Sequence, residues 1–359
     1  MPRVESKNLF NFPLSGKMDE DLLKMQTEVT KQYETEESKA FTKKLEDMQA
    51  LDDPESELAY AKMFRQMVDG FMKPILQNPY FVKYAKQTIV GETLKVPTTH
   101  DGDFGVPVEV YIPKKIAGGK ANPAYIYAHG GGGYCGTAAD SKPWLDVLAV
   151  EGNMIVFNVD YRIAPETKCP NNVKDFYEAI KYIKENAESL GVDPDRICIA
   201  GDSGGGYICL GAMVLLAQND ETDLVKLAIP GIPMVDDYCF SEPASMTTEE
   251  RTAHLWMRKC WKLIAADLEA QKNDPLLFPG KVSDELLSKF PPTIINEVEF
   301  DMFITESTRL ATRLRRAGRL LELIVIPGAT HISGMMPELE CSKIWISALK
   351  TAIEEYLVN

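Results

Sequence analysis

The chain has 359 residues, 45% of them apolar, a formal net charge of −14 and an isoelectric point near 4.9. This composition suffices for a sizeable core, and the acidic excess excludes the clustered Lys and Arg footprint of a nucleic-acid binder. No run approaches the roughly 18 consecutive apolar residues of a membrane span, and residues 1–17 lack the apolar stretch and small-residue cleavage site of a signal peptide. A cytoplasmic protein without an integral membrane segment is therefore expected, with a homodimer left open. The seven cysteines form no CxxC pair and are odd in number, which argues for reduced thiols over a disulfide framework or a zinc site.

Residues 18 to about 85 carry helical periodicity and no strand signal: Leu22, Met25, Val29 and Tyr33 share one face, as do Met63, Met67 and Phe71. From Gln87 the pattern changes to short β-rich runs at 87–96, 106–112, 124–128 and 154–159. The first two, joined through His100-Asp101-Gly102-Asp103, predict an antiparallel hairpin. Beyond them strands alternate with helices, the order of a parallel sheet covered on both faces. Val173, Phe176, Ile180 and Ile183 make one apolar stripe, and a strand at 196–200 runs into a helix at 207–217 that is apolar nearly all round and so must be buried. Further strands are predicted at 227–232, 293–298 and 321–326, the last two separated by a helix with Leu310 and Leu314 that stops at Gly318.

An insertion of about 60 residues separates the strands at 227–232 and 293–298, too long for a bare connection. It contains Trp256, Met257 and Trp261. Together with the N-terminal helices it reads as a cap over the strand ends. The expected division is an N-terminal cap part at 1–85, core at 86–236, a cap insertion at 237–285 and core again at 286–359.

Four segments carry the chemistry. Ser203 lies in Gly201-Asp202-Ser203-Gly204-Gly205, between a β-run and a helix; small residues on either side let the backbone double back and expose the hydroxyl. His129-Gly130-Gly131-Gly132-Gly133 follows an earlier strand, and consecutive glycines let several amides converge on one point. The amides of Gly131, Gly132 and Gly204 are assigned to an oxyanion hole.

A serine needs a base, and the chain has only four histidines. His129 opens the glycine loop and props it, His100 lies in the hairpin turn and His254 in the insertion. His331, in Pro327-Gly328-Ala329-Thr330-His331 after the last strand, is where a triad in the order Ser, Asp, His places its base. Asp301, just past the preceding strand, is the orienting acid, with Glu299 and Glu306 as rivals in the same loop. Tyr134, Cys135, Tyr207, Met234, Trp256 and Met335 adjoin these motifs or lie in the insertion and are the candidates for a substrate wall.

These motifs resemble the hormone-sensitive lipase family of α/β-hydrolases, with its His-Gly-Gly-Gly loop and Gly-Asp-Ser-Ala-Gly-Gly elbow. The likeness, over residues about 90 to 355, takes in Tyr161-Arg162-Ile163-Ala164-Pro165-Glu166, Pro233-Met234-Val235-Asp236-Asp237 and Phe290-Pro291-Pro292. It implies an α/β-hydrolase fold with a mostly parallel eight-stranded sheet, flanking helices and a helical cap. It also implies a carboxylic-ester hydrolase of carboxylesterase or arylacetamide-deacetylase type, with no metal or organic cofactor and a small-molecule ester as its partner. The chain departs from the family at Gly133, where Phe or Trp is usual, and at Gly204, where Ala is usual. It departs again at Met302-Phe303 (Pro-Leu) and Ile332-Ser333 (Gly-Phe). Two alternatives keep the same scaffold: a lyase, dehydratase or acyltransferase acting on a specialised metabolite, and a non-catalytic small-molecule receptor.

Overall fold

The computed structural model describes residues 16–24, 27, 35–49, 51–102, 104–119, 121–238 and 248–359. Met25, Val29 and Tyr33 of the first expected helical face lie outside them, as does Cys239. The other six cysteines are free and buried.

One sheet organises the described residues. Its strands are β1 (Thr88–Val90), β2 (Leu94–Pro97), β3 (Gly105–Pro113), β4 (Asn122–Ala128), β5 (Ile155–Val159), β6 (Val192–Asp202), β7 (Leu227–Gly231), β8 (Thr293–Phe300) and β9 (Leu320–Thr330). The spatial order is β1-β3-β5-β4-β6-β7-β8-β9, with β2 also paired to β3. Strands β4 to β9 are mutually parallel; β3 pairs antiparallel with β5, and β1 and β2 each pair antiparallel with β3, so β3 alone runs against the other strands.

The single strand expected over 87–96 is two. Val90 pairs with Tyr111 but Leu94 with Val108, so the edge holds one residue more than its partner, a bulge at Gly91 whose amide donates to Val110 O at 2.8 Å. Nine strand segments thus fill eight positions across the sheet. The expected antiparallel hairpin is β2–β3.

Helices α1 (Glu36–Gln49), α2 (Pro54–Leu76) and α3 (Pro79–Ala85) precede the sheet. Asp53 caps α2 by accepting from Ser56 N at 3.0 Å, and Pro54 at its first position lacks a donor that would otherwise be orphaned. Within the sheet region follow α4 (Ala138–Gly152), α5 (Asn171–Glu185), α6 (Gly204–Gln218), α7 (Thr248–Ile264), α8 (Ile304–Ala317) and α9 (Glu340–Ile353). Gly318 ends α8 at φ 67°, the left-handed stop expected from sequence. Hydrophobic periodicity did not mark α4, which contains Pro143 and buries a contiguous block, Leu145 to Ala149, rather than a clean stripe.

Helix α6 is buried along nearly its whole length. Leu210, Met213, Val214 and Leu216 are inaccessible, each side chain contributing about 1.5–3 kcal/mol of burial. That burial anchors the N-terminus of α6, where Ser203 stands. The chain leaves β4 for β5 on one side and reaches β6 on the other, so a crevice opens between the carboxyl ends of β4 and β6.

Candidate active site

Every candidate group stands at a carboxyl end of the sheet: the glycine loop after β4, Ser203 after β6, Asp301 after β8 and His331 after β9. Ser203 has φ 60° and ψ −118°, a conformation costing a non-glycine residue about 1–3 kcal/mol and held here by the burial of α6 behind it. Its amide donates to Gly231 O at 2.9 Å. The turn packs so closely on β4 that a Cβ on Gly201 would lie 2.8 Å from Ala128 O, and one on Gly205 2.6 Å from His129 O. Glycine is required at both positions.

Ser203 Oγ lies 2.9 Å from His331 Nε2, and His331 Nδ1 lies 2.6 Å from Asp301 Oδ2. An ionised carboxylate only accepts, so the Nδ1 proton points to Asp301 and Nε2 is left to accept from the serine hydroxyl. Asp301 is fixed in turn by Phe303 N, which donates to Oδ1 at 2.9 Å, and the Phe303 ring meets the imidazole edge-on at 5.3 Å. The rival acids are engaged elsewhere. Glu299 accepts from Gly16 N at 2.6 Å and Gly328 N at 2.8 Å, and Glu306 accepts from Asp236 N at 3.0 Å.

Burial opposes protonation of His331, but the charge and hydrogen bond of Asp301, with a smaller contribution from Asp202, outweigh it and raise the imidazole above its ordinary value. Asp202 itself is pushed up to about 6 by burial, although Tyr127 OH donates to it at 2.8 Å. The other histidines have separate partners. His129 stacks on Tyr161 at 4.3 Å and its Nδ1 lies 2.8 Å from Gly130 O, which fits a prop for the loop. His100 pairs with Asp175 at 2.9 Å and His254 meets the ring of Tyr238.

In the glycine loop, Gly131, Gly132 and Gly133 all have positive φ, at 113°, 59° and 74°. Gly131 O accepts from Tyr134 N at 3.1 Å and from Cys135 N at 2.9 Å, and Cys135 Sγ lies 3.1 Å away. The loop leans onto the elbow: a Cβ on Gly204 would sit 2.5 Å from Gly132 N and 2.6 Å from Gly133 N. The loop therefore occupies the space that an alanine methyl would need. Burial pushes the Cys135 thiol up to about 12, which leaves it unsuited to act as a second nucleophile.

A cleft of about 340 Å³ opens over Ser203 and His331. Of the six residues expected to line it, Cys135, Trp256 and Met335 do so. Tyr134 does not: it stands behind the wall, its hydroxyl accepting from Trp256 Nε1 at 3.0 Å and its ring 5.3 Å from Phe64. Tyr207 and Met234 are wholly buried away from the cleft, Tyr207 edge-on against Trp261 at 5.4 Å, because the first turn of α6 is enclosed on every side. The wall is instead completed by Phe64, Val68, Met72 and Ile75 of α2, Phe81 of α3, and Trp144 and Trp345 from α4 and α9. The i, i+4, i+8 spacing of Phe64, Val68 and Met72 was the available sequence signal for this face. Among the described residues no cluster of His, Cys, Asp and Glu is arranged to hold a metal, and no helix is long and apolar enough to cross a membrane.

Comparison with known proteins agrees with this architecture. The bacterial heroin esterase structure superposes with a TM-score of 0.71 at 30% identity, covering 82% of this chain and 90% of that one. Ethyl acetate hydrolase of Pseudomonas putida is 30% identical over 239 residues, 65% of this chain and 73% of its own length. Carboxylesterase NlhH of Mycobacterium tuberculosis is 32% identical over 245 residues, 65% and 72% of the respective chains. A family model for the α/β-hydrolase fold matches residues 125–334, from β4 through the loop that carries His331. With its esterase relatives and its parallel sheet bearing Ser203, Asp301 and His331 at the strand ends, the chain is a hydrolase and belongs to the α/β-hydrolase family.

Proposed function

We propose that the protein is a serine carboxylic-ester hydrolase of the hormone-sensitive-lipase-like group, acting on small to medium acyl esters. The observation that carries this reading is the unbroken relay from Ser203 Oγ through His331 to Asp301, at 2.9 and 2.6 Å, on the floor of an apolar cleft. The names of the relatives, an ethyl acetate hydrolase and a carboxylesterase, support the substrate class.

Ser203 Oγ attacks the ester carbonyl as His331 Nε2 takes its proton. The tetrahedral oxyanion is stabilised by the amides of Gly131, Gly132 and Gly204. Asp301 holds the imidazole in the productive tautomer and stabilises the imidazolium. His331 then returns the proton to the leaving alkoxide, the C–O bond breaks and an acyl-serine remains. Water, deprotonated by Nε2, attacks that acyl group, and collapse of the second tetrahedral species releases the acid and restores the serine hydroxyl.

The cap is part of the proposal. Two ties join residues 51–52 to α7: Lys259 Nζ donates to Leu51 O, and Lys262 Nζ lies 2.8 Å from Asp52. Phe64 and Trp256, one from each helical segment, meet with ring centroids 6.2 Å apart. A cleft of this size roofed by two helical segments favours short acyl groups over long ones.

A series of p-nitrophenyl esters from acetyl to palmitoyl, run on wild type and Ser203→Ala, tests the reading. A short-chain optimum, lost by on the order of a millionfold in kcat with the variant, is expected. Turnover retained by Ser203→Ala refutes the nucleophile. Fluorophosphonate labelling of Ser203 without turnover of any ester would point to the lyase or acyltransferase alternative, and absence of labelling to a receptor.

A further inference from the structure

Arg65 lies on α2 between two cleft-lining residues, Phe64 and Val68, yet its side chain turns away from the cleft. Its Nε donates to Tyr134 O at 2.8 Å, and Nη2 donates to Ala164 O at 2.7 Å. Nη1 and Nη2 also grip the Glu166 carboxylate at 2.8 and 2.7 Å, a two-pronged pairing that fixes the guanidinium plane. Ala164 is itself tied to the glycine loop, its amide donating to Gly133 O at 2.8 Å. The Ala164-Pro165-Glu166 stretch otherwise has no part in the chemistry derived above.

These bonds form a chain of fixed peptide planes. In a trans peptide the C=O and N–H point in opposite directions. Arg65 holds Tyr134 C=O, so the N–H of the same plane, that of Cys135, is aimed back at Gly131 O and donates to it at 2.9 Å. Gly131 C=O shares its own plane with Gly132 N–H. Fixing that carbonyl sends the Gly132 N–H to the opposite side of its plane, and Gly132 N itself stands against the elbow, 2.5 Å from the place of a Cβ on Gly204.

We propose that Arg65, locked by Glu166, is a positioning residue that sets the direction of the Gly132 amide and thereby couples helix α2, a wall of the substrate cleft, to the oxyanion hole. Lysine cannot replace it, because one ammonium cannot span two carbonyls and a carboxylate in a fixed plane. The inference rests on the esterase reading above.

The test compares wild type with Arg65→Gln, Arg65→Lys and Glu166→Gln. It uses p-nitrophenyl butyrate kinetics, inhibition by a trifluoromethyl ketone that forms a tetrahedral adduct, and thermal melting. Losing one oxyanion donor costs about 10²–10³ in kcat, so misdirecting one should cost Arg65→Gln about 10- to 100-fold in kcat, with KM within about threefold. Ketone affinity should fall in parallel with kcat. Arg65→Lys should recover only part of the loss, and Glu166→Gln, which loosens the grip without removing it, should fall between wild type and Arg65→Gln. A purely structural clip would lower the melting temperature and leave kcat and ketone affinity per folded molecule unchanged; that result overturns the proposal. Wild type that is neither labelled by fluorophosphonate nor active on esters would instead overturn the esterase reading, which separates the two failures.

Discussion

Gly204 offers a severe test of how the oxyanion loop is seated, because this structure has no room there for even an alanine methyl. A Cβ here would stand 2.5 Å from Gly132 N, 2.6 Å from Gly133 N and 2.8 Å from Gly132 Cα, all backbone atoms that no rotamer change can move. Ordinary contact begins near 3.4 Å, so Gly204→Ala forces the loop back by about 0.9 Å. Oxyanion donors work within a window of roughly 2.7–3.1 Å, and a retreat of that size removes at least one from it. The expected cost is about 10²–10³ in kcat on p-nitrophenyl butyrate. KM should change little, since the cleft wall contributed by α2 and α7 is untouched. A melting curve close to wild type would separate this from unfolding. If Gly204→Ala turns over within about threefold of wild type, the loop has relaxed without loss of its donors and the tight seating argued here is wrong.

Two other expectations follow from the site. The raised pKa of His331 requires the acid limb of kcat/KM to lie above the ordinary imidazole value near 6.5, with activity lost as pH falls because the protonated ring cannot act as base. Asp301→Asn removes the main influence that raises it, so the limb should move to lower pH while kcat drops by about 10⁴; coincident limbs in a pH–rate profile would contradict the assignment of Asp301. Val68→Phe places a ring in the cleft beside Phe64 and Met72. A methylene in such a pocket is worth about 1–3 kcal/mol, so the hexanoyl-to-acetyl ratio of kcat/KM should fall by at least about tenfold. An unchanged ratio would place the acyl chain elsewhere.

Much of the site was legible because its chemistry demands unusual local sequence. The elbow needs glycine at 201 and 205, where any side chain would strike β4, and four histidines leave few choices of base. Glu299 and Glu306 could be set against Asp301 only through their partners, since the loop expected from sequence is in the structure the end of β8, a short turn holding Asp301 and the start of α8, and each element turns its acid a different way. The cleft wall was the least readable part. Adjacency to a motif placed Tyr207 and Met234 beside the substrate, but the burial of α6 on all sides turns both into the core. Helix α2 carries two neighbouring apolar stripes. Met63 and Met67 mark one, while Phe64, Val68 and Met72, rotated by one residue, mark the other, and only tertiary packing decides that the second faces the cleft. The bulge at Gly91 was hidden for a similar reason, because a single extra residue leaves the β-rich composition of 87–96 unaltered.

The position of His331 on the sheet has a consequence for how the protein fails. Ser203 is anchored in the middle of the sheet by α6, whereas the base follows β9, which occupies one margin and pairs on a single side with β8. β9 is nonetheless buried along nearly its whole length, so it opens with the core rather than ahead of it. Turnover and the sheet should therefore be lost together on warming, and activity would report global unfolding rather than the fraying of one outer strand. During synthesis, likewise, the nascent chain would stay chemically inert until its final strand docks.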